Sequence, residues 1–346
     1  MIINSGKTPS VGLALKLVQE GKKVSYLKPV GNVVDLGRRE DDDTVLMKEV
    51  LGMEESLGEI TPLTVGASFI RYQRSSAEYL HRIKESHRKL AAKSDLVIIE
   101  SGPSPELLFS IGLDAATIAQ ELKAAVVMVS KAADDWDLDR TLLFNEYLRS
   151  RQLRVLGTIF NHVSKQVMDK VRGVYQPLLE EKGFPVLGIV AAQRDLTLPT
   201  VREVWDILGG ELLEGEEYLD RRVEEIMIGA MNLESALTFF RRAVNKAVVT
   251  GGDRTGVALA ALETDTSVLI LTGDVYPDVK VVARAHEKGV PVILVPTDTY
   301  TTVERLHRVA RKIRPTDTAA ISLARQNVEE HVNWAQLFQA LEEARA

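Results

Sequence analysis

The chain reads Asn4-Ser5-Gly6-Lys7-Thr8 near its start, and an apolar helical pattern follows at once. A Gly-Lys-Thr at the start of a helix is the second half of a phosphate-binding P-loop, in which the lysine reaches the β- and γ-phosphates and the hydroxyl binds Mg²⁺. The full pattern also needs a glycine separated from Gly6 by four residues, and Met1 stands there. Residues 5–8 therefore predict a nucleotide site whose first half is missing.

Three explanations of the missing half are open. Loop residues are absent from the sequence, the start codon is misassigned, or the loop is truly shortened; we favour the first. A plain helix start over residues 5–9 is the alternative to a P-loop. Pro9, just inside the helix, fits either interpretation.

Composition indicates an ordinary globular chain. Its 346 residues suggest two domains, and its 45% hydrophobic and 27% charged residues are typical of such proteins. We expect no membrane span and no secretory signal, because neither pattern is present. The absence of cysteine fits a cytoplasmic location, and a net charge of −6 argues against nucleic-acid binding.

Short apolar runs alternate with longer helical patterns. The runs are continuous rather than alternating, which is typical of parallel strands covered by helices on both faces. We predict a P-loop NTPase-like parallel sheet flanked by helices over residues 1–196, a smaller α/β domain over 197–318 and a C-terminal helical tail over 319–346. The first domain has strands at 23–27, 96–100, 125–129, 155–160 and 185–190, and the tail reads as one amphipathic helix over 328–345.

Two charged positions follow predicted strands of the first domain. Lys28 follows the strand at 23–27, where a cation can hold phosphate oxygens; a solvated turn lysine is the alternative. Glu100 ends the strand at 96–100, where a carboxylate can bind Mg²⁺; an exposed acid at a strand end is the alternative.

Two further positions carry the same kind of ambiguity. Asp43 is a candidate Mg²⁺ ligand and an equally good cap for the helix at 44–51. Asn161 follows the strand at 155–160 and can hydrogen-bond a base edge or cap the next turn.

The second domain carries a glycine-rich turn. Thr250-Gly251-Gly252-Asp253-Arg254 follows a strand and opens a helix, so its backbone amides could hold an anion. On physical grounds we favour a tight turn in which Asp253 is the helix N-cap.

Together these residues resemble a known family. Lys7-Thr8, Lys28-Pro29-Val30, Asp43, Glu100 and Asn161 occur in the order seen in dethiobiotin synthetase-like P-loop proteins, in the branch at the N-terminus of long phosphotransacetylases. The resemblance implies ATP and Mg²⁺ binding and a homodimer or higher homo-oligomer. Lys7 and Lys28 would contact phosphates as catalytic residues, Ser5 and Gly6 would line the phosphate loop, Thr8, Asp43 and Glu100 would bind the metal, and Asn161 the base.

The second domain resembles the DRTGG domain, on the matching stretches 229–231, 250–254, 271–273 and 296–302. This resemblance implies a regulatory or structural module that could contact a protein partner. We expect no acetyl transfer by this chain, since no catalytic acetyltransferase domain follows. The hypotheses are an ATP-binding regulatory protein (ATP sensor or slow ATPase), an ATP-dependent ligase of dethiobiotin synthetase type, and a non-catalytic interaction protein with a degenerate P-loop.

Overall fold

The chain divides into two compact units. One joins Met1–Leu196 to Ile313–Ala346, and the other is Thr197–Lys312. The computed structural model describes residues 1–4, 7–32, 41–66, 69–102, 104–193, 196, 198–307, 309 and 313–345, without the side chains of residues 2–4, 7, 8, 32, 71 and 345. Within these residues, no helix has both the length and the apolar character to cross a bilayer.

A six-stranded parallel sheet forms the centre of the first unit. Its order is β2-β5-β1-β6-β7-β8, with every neighbouring pair parallel. The strands are β1 Ile2–Asn4, β2 Val24–Leu27, β5 Leu96–Glu100, β6 Val126–Ser130, β7 Val155–Val163 and β8 Val186–Ala191, and a separate parallel pair is β3 Val30–Asn32 with β4 Leu63–Val65. The predicted parallel α/β fold is confirmed.

Apolar clusters cover both faces of this sheet. Ile98 and Val127 pack into one cluster, whereas their neighbours Val97 and Val126 pack into another. Successive residues of a strand point to opposite faces, so both faces of the central strands are buried. This explains why the strands read as continuous apolar runs.

Helices connect the strands. They are α1 Lys7–Gln19, α2 Asp42–Leu51, α3 Leu57–Ile60, α4 Ser76–Ala91, α5 Ala115–Glu121, α6 Asp135–Ser150, α7 Met168–Lys170 and α8 Gln176–Glu181, with a π-helical turn at Val171–Tyr175. The predicted helix cap at Asp43 is wrong: the N-cap of α2 is Asp41, whose carboxylate accepts the backbone N–H groups of Asp43 and Thr44. Asp43 is thereby left inside the first turn.

The second unit is a smaller α/β fold. Its five-stranded sheet has the order β10-β11-β12-β13-β9, in which only β9 runs antiparallel to its neighbour. Its elements are α9 Val201–Leu208, β9 Glu211–Glu214, β10 Glu225–Ile228, α10 Leu233–Phe240, β11 Lys246–Gly251, α11 Thr255–Leu262, β12 Thr266–Thr272, α12 Val279–Lys288, β13 Val292–Leu294 and α13 Thr299–Leu306.

The C-terminal segment differs from its prediction. The sequence predicted one helix over 328–345, whereas the structure has two, α14 Thr318–His331 and α15 Trp334–Arg345. The chain is extended at Val332, which bridges to Gly188 of β8. Ala324 and Val328 of α14 are buried in the apolar cluster of the first unit. The segment therefore covers the face of the sheet on which α1 lies.

Candidate nucleotide site

A buried lysine stands at the carboxyl edge of the first sheet. Lys28 follows β2 directly and is only 6% exposed. Its Nζ lies 3.1 Å from Asp41 Oδ1, forms an ion pair with Asp43 and lies 3.8 Å from Glu100 Oε1. The structure thus brings together three residues that the sequence placed in one site, Lys28, Asp43 and Glu100, and adds Asp41.

The sheet and the start of α2 explain this convergence. Strands β2 and β5 are parallel neighbours, so the residues at their carboxyl ends meet at one edge. Glu100 is the last residue of β5, and Asp41 is fixed by capping α2. Gly31 of β3, three residues after Lys28, lets the chain pack closely here, because a Cβ on it would lie 2.7 Å from Thr61 Cγ2 and 3.1 Å from Asp41 Cβ.

Burial and charge shift the ionisation of this cluster. Burial, and then the negative charge of Asp43, raise the pKa of Glu100 to about 7, although Lys28 acts in the opposite direction. Burial disfavours the charged form of Lys28, but Glu100, Asp43 and Asp41 together hold its pKa above the usual value. Burial and the same carboxylates raise the pKa of Tyr26. The cluster therefore carries more negative than positive charge and would gain from a further cation.

The donor set is compatible with a magnesium ion. Glu100 Oε2 is buried with no hydrogen-bond partner in the described part of the chain, and carboxylate oxygens are ligands that Mg²⁺ prefers. No three acidic or histidine side chains of the described residues form a complete metal site by themselves. Mg²⁺ commonly takes one or two carboxylates together with water and phosphate oxygens. The side chain of Thr8, the third expected ligand, lies outside the description.

The P-loop residues are partly described. Strand β1 lies between β5 and β6 and ends at Asn4, and α1 begins at Lys7. Ser5 and Gly6 lie outside the described residues, as do the side chains of Lys7 and Thr8. The backbone nevertheless places the first turn of α1 at the edge where Glu100 ends, and a helix start favours anions.

Asn161 lies away from the lysine, on β7. It is 5% exposed and sits two strands from β1, about 10 Å at the usual strand spacing. Asn4 pairs with Met128, which pairs with Thr158. Asn161 is therefore three residues beyond the level at which β1 ends. The structure therefore places Asn161 outside the Lys28 cluster. This separation is expected for a long ligand that has one end near Lys28 and the other near Asn161.

Sequence reasoning missed three features of this edge. Asp41 stood in the acidic run at 41–43, but the sequence does not reveal which carboxylate turns inward. Tyr26 reads as an ordinary strand residue. His162 has a backbone φ of 57°, and no pattern in the sequence predicts left-handed backbone at this position.

The glycine-rich turn of the second unit is closed by its own arginine. The Arg254 guanidinium donates to the carbonyls of Gly229 and, at 2.6 Å, Met231. A Cβ on Gly252 would lie 1.7 Å from the Val275 carbonyl oxygen. The turn therefore packs against two neighbouring loops, and anion binding by Arg254 would require its hydrogen bonds to break.

The predicted cap of this turn is also wrong. The N-cap of α11 is Arg254, not Asp253, and its side chain makes no capping hydrogen bond.

Parallel βα units, a helix opened by Gly-Lys-Thr and charged residues at the strand ends define the P-loop NTPase-like class. The chain belongs to a family described as an AAA domain, a dethiobiotin synthetase-like P-loop family whose model matches residues 3–200. A DRTGG domain matches residues 203–309. Both resemblances inferred from the sequence are confirmed. The letters of the latter name are read at Asp253-Arg254-Thr255-Gly256, with Val257 in place of the last glycine.

Curated relatives are phosphate acetyltransferases. The chain is 25% identical to that of Pseudomonas putida over 95% of its own length and 49% of the relative. It is 26% identical to that of Nitrosomonas europaea over 88% of its own length and 45% of the relative. The chain thus spans about half the length of the curated relatives it matches, and it is homologous to their N-terminal region.

Solved structures give only distant likenesses. The Pyrococcus furiosus cell division ATPase MinD has a TM-score of 0.37 at 17% identity and covers 56% of this chain and 84% of its own. The CBS and DRTGG domains of Clostridium perfringens pyrophosphatase, complexed with the activator diadenosine tetraphosphate, have a TM-score of 0.28 at 18% identity and cover 43% and 73%.

Proposed function

We propose that this chain is an ATP- and Mg²⁺-binding regulatory P-loop protein, an ATP sensor or slow ATPase, that couples its nucleotide state to the DRTGG module. The observation that carries the proposal is the meeting of Lys28 with Asp41, Asp43 and Glu100. This cluster lies at the carboxyl edge of a parallel sheet, where open α/β folds bind ligands.

Each candidate site residue of the first unit has a distinct role in this proposal. Lys7 and Lys28 bind phosphate oxygens, and residues 5 and 6 provide backbone amides. Thr8, Asp43 and Glu100 hold Mg²⁺, which neutralises charge on the phosphates when it is bound. Asn161 presents an amide, with a donor and an acceptor, to the base.

Lys28 links the two kinds of ligand. Its ammonium contacts the carboxylates that would hold the metal, and it is buried at the same edge as the start of α1. A cation in this place stabilises the carboxylates without a ligand and can contact phosphate oxygens when a ligand is present.

In this proposal, the second unit is the regulatory module that responds to the nucleotide state of the first. Its glycine-rich turn is packed rather than open, which favours a structural or regulatory module over a catalytic one. We include in the proposal a homodimer, a protein partner bound through this unit, and a cytoplasmic location suggested by the absence of cysteine.

Calorimetric titration with ATP and Mg²⁺ tests the proposal. We expect saturable binding that requires Mg²⁺ and is lost in Lys7→Ala. The matched control is Lys93→Ala, which removes an exposed lysine paired with the partly buried Glu55 and should leave binding unchanged. Absence of binding by the unaltered chain would contradict the proposal and favour a non-catalytic interaction protein.

Phosphate release distinguishes the enzymatic alternatives. A slow ATPase releases phosphate from ATP without any second substrate. A ligase of dethiobiotin synthetase type releases ADP only when a small carboxylate or amine is added, so strict dependence on such a substrate would replace the regulatory proposal with the ligase.

A further inference from the structure

A β-bulge interrupts β7 at the candidate base-contact residue. Phe160 of β7 pairs with Ile189 of β8, and Val163 pairs with Ala191. Three steps along β7 therefore match two along β8, so one extra residue is inserted between Phe160 and Val163. His162 absorbs this insertion with a left-handed φ of 57°.

Left-handed backbone is uncommon for a residue with a Cβ, although histidine, asparagine and aspartate adopt it more often than others. Such conformations persist only when the surrounding structure enforces them, and they cluster at functional sites. Bulges likewise occur beside active sites, where they redirect a side chain.

The residues on either side of the bulge are firmly held. Phe160 is fully buried, and its ring centroid lies 6.3 Å from that of Tyr175. The Tyr175 hydroxyl donates to Asp135 Oδ1 at 2.6 Å. Val163 is 1% exposed, and its carbonyl accepts the backbone N–H of Ala192 at 2.9 Å.

The bulge changes which face each residue occupies. In a regular strand, residues three apart point to opposite faces. Here Phe160 and Val163 pack in the same apolar cluster. The two polar residues between them, Asn161 and His162, are thus taken out of the normal alternation on the part of β7 that extends beyond β1.

We propose that the left-handed bulge at His162 is the positioning element that presents Asn161 to the base of a bound purine nucleotide. This inference rests on the proposed nucleotide binding and adds the element that determines base recognition. His162 acts through its backbone and not through its imidazole. Any residue that adopts the left-handed conformation should therefore replace it.

The test compares substitutions with different backbone preferences. Asparagine readily adopts left-handed backbone, whereas the β-branched valine does not. We expect His162→Asn to bind ATP within about twofold of the unaltered chain. We expect His162→Val to bind ATP about tenfold more weakly, as after loss of one hydrogen-bonding side chain, and Asn161→Ala to match it.

Inorganic tripolyphosphate, which has phosphates but no base, provides the control ligand. Its affinity should be the same in all variants, because the bulge lies away from the Lys28 cluster. A purely structural defect would weaken both ligands alike. Circular dichroism during heating checks that each variant is folded at the temperature of the titration.

Each other outcome overturns a defined part. Unchanged ATP binding in His162→Val contradicts the bulge proposal alone. Absence of ATP binding in the unaltered chain contradicts the nucleotide assignment and the bulge proposal with it. If His162→Val does not fold, His162→Ala replaces it, and failure of both to fold shows that the bulge serves core packing instead.

Discussion

Lys28 and Glu100 meet at the ends of two neighbouring parallel strands, with Lys28 Nζ 3.8 Å from Glu100 Oε1 and both residues almost fully buried. Two more carboxylates, from Asp41 and Asp43, approach the same ammonium. One cation thus serves three acidic groups. Its removal leaves negative charges buried together without compensation.

Lys28→Met should therefore destabilise the first unit by about 3–5 kcal/mol, the usual cost of removing one partner of a buried ion pair. Urea unfolding followed by circular dichroism measures the change. Lys93→Met is the matched control, because Lys93 is an exposed lysine paired with Glu55, and it should barely move the unfolding midpoint. Equal effects of the two substitutions would show that the Lys28 ammonium does not stabilise the buried carboxylates around it.

Glu100 should make stability depend on pH. Its pKa in the folded chain is about 7, above the ordinary value for glutamate, so the folded state keeps this proton at pH values where the unfolded chain has lost it. The free energy of unfolding should fall as pH rises from about 4.5 to about 7 and change little beyond. Unfolding in urea at a series of pH values measures this slope.

Glu100→Gln removes the titrating group and should flatten that part of the profile. Glu106→Gln, at an exposed glutamate paired with Arg140, is the control and should retain the slope. A profile in which both variants follow the unaltered chain would indicate that Glu100 ionises normally.

The first sheet is well predicted because strands that are buried on both faces appear in the sequence as continuous apolar runs. Strand β5 carries five consecutive residues that are mostly apolar, and its predicted bounds are those observed. The C-terminal segment was harder. One helical pattern runs through Val332, and the break depends on that residue pairing with Gly188, a tertiary contact.

The candidate site shows the same division. Lys28 and Glu100 could be picked from the sequence because each stands at the end of a predicted strand. The alternation of strands and helices along the chain is enough to predict that such ends meet at one edge of a parallel sheet. The inward turn of Asp41 depends on its capping of α2, and the bulge at His162 on pairing with β8. Neither feature can be predicted from the pattern of residue types along the chain.

Packing of the C-terminal helices on α1 should be sensitive to one methyl group. A Cβ on Gly12 would lie 2.5 Å from Val328 Cγ2 and 3.0 Å from the Ala324 carbonyl oxygen. Gly12→Ala should destabilise the first unit by about 1–3 kcal/mol through overpacking. Gly58→Ala is the control, since no atom lies within 4 Å of its added Cβ. Thermal unfolding compares the two.

A second substitution identifies the contact responsible. Val328→Ala makes room at Gly12, so the double variant should be less destabilised than the sum of the single changes. Strict additivity would place the cost of Gly12→Ala elsewhere.

Arg254 should act as a structural clamp in the second unit. Its guanidinium bonds two carbonyls of one loop, those of Gly229 and Met231, and only a planar fork can reach both. Arg254→Lys should lower the free energy of unfolding by about 1–3 kcal/mol, because at least one charged hydrogen bond is lost.

Arg242→Lys is the matched control for the clamp. Arg242 is an exposed arginine stacked on Phe239, and its replacement should have little effect on unfolding. Urea unfolding of both variants, with and without inorganic phosphate, separates a clamp from an anion site. A clamp loses stability in both conditions. If Arg254→Lys instead unfolds like the unaltered chain and loses only the stabilisation by phosphate, the Thr250–Arg254 turn is a ligand site.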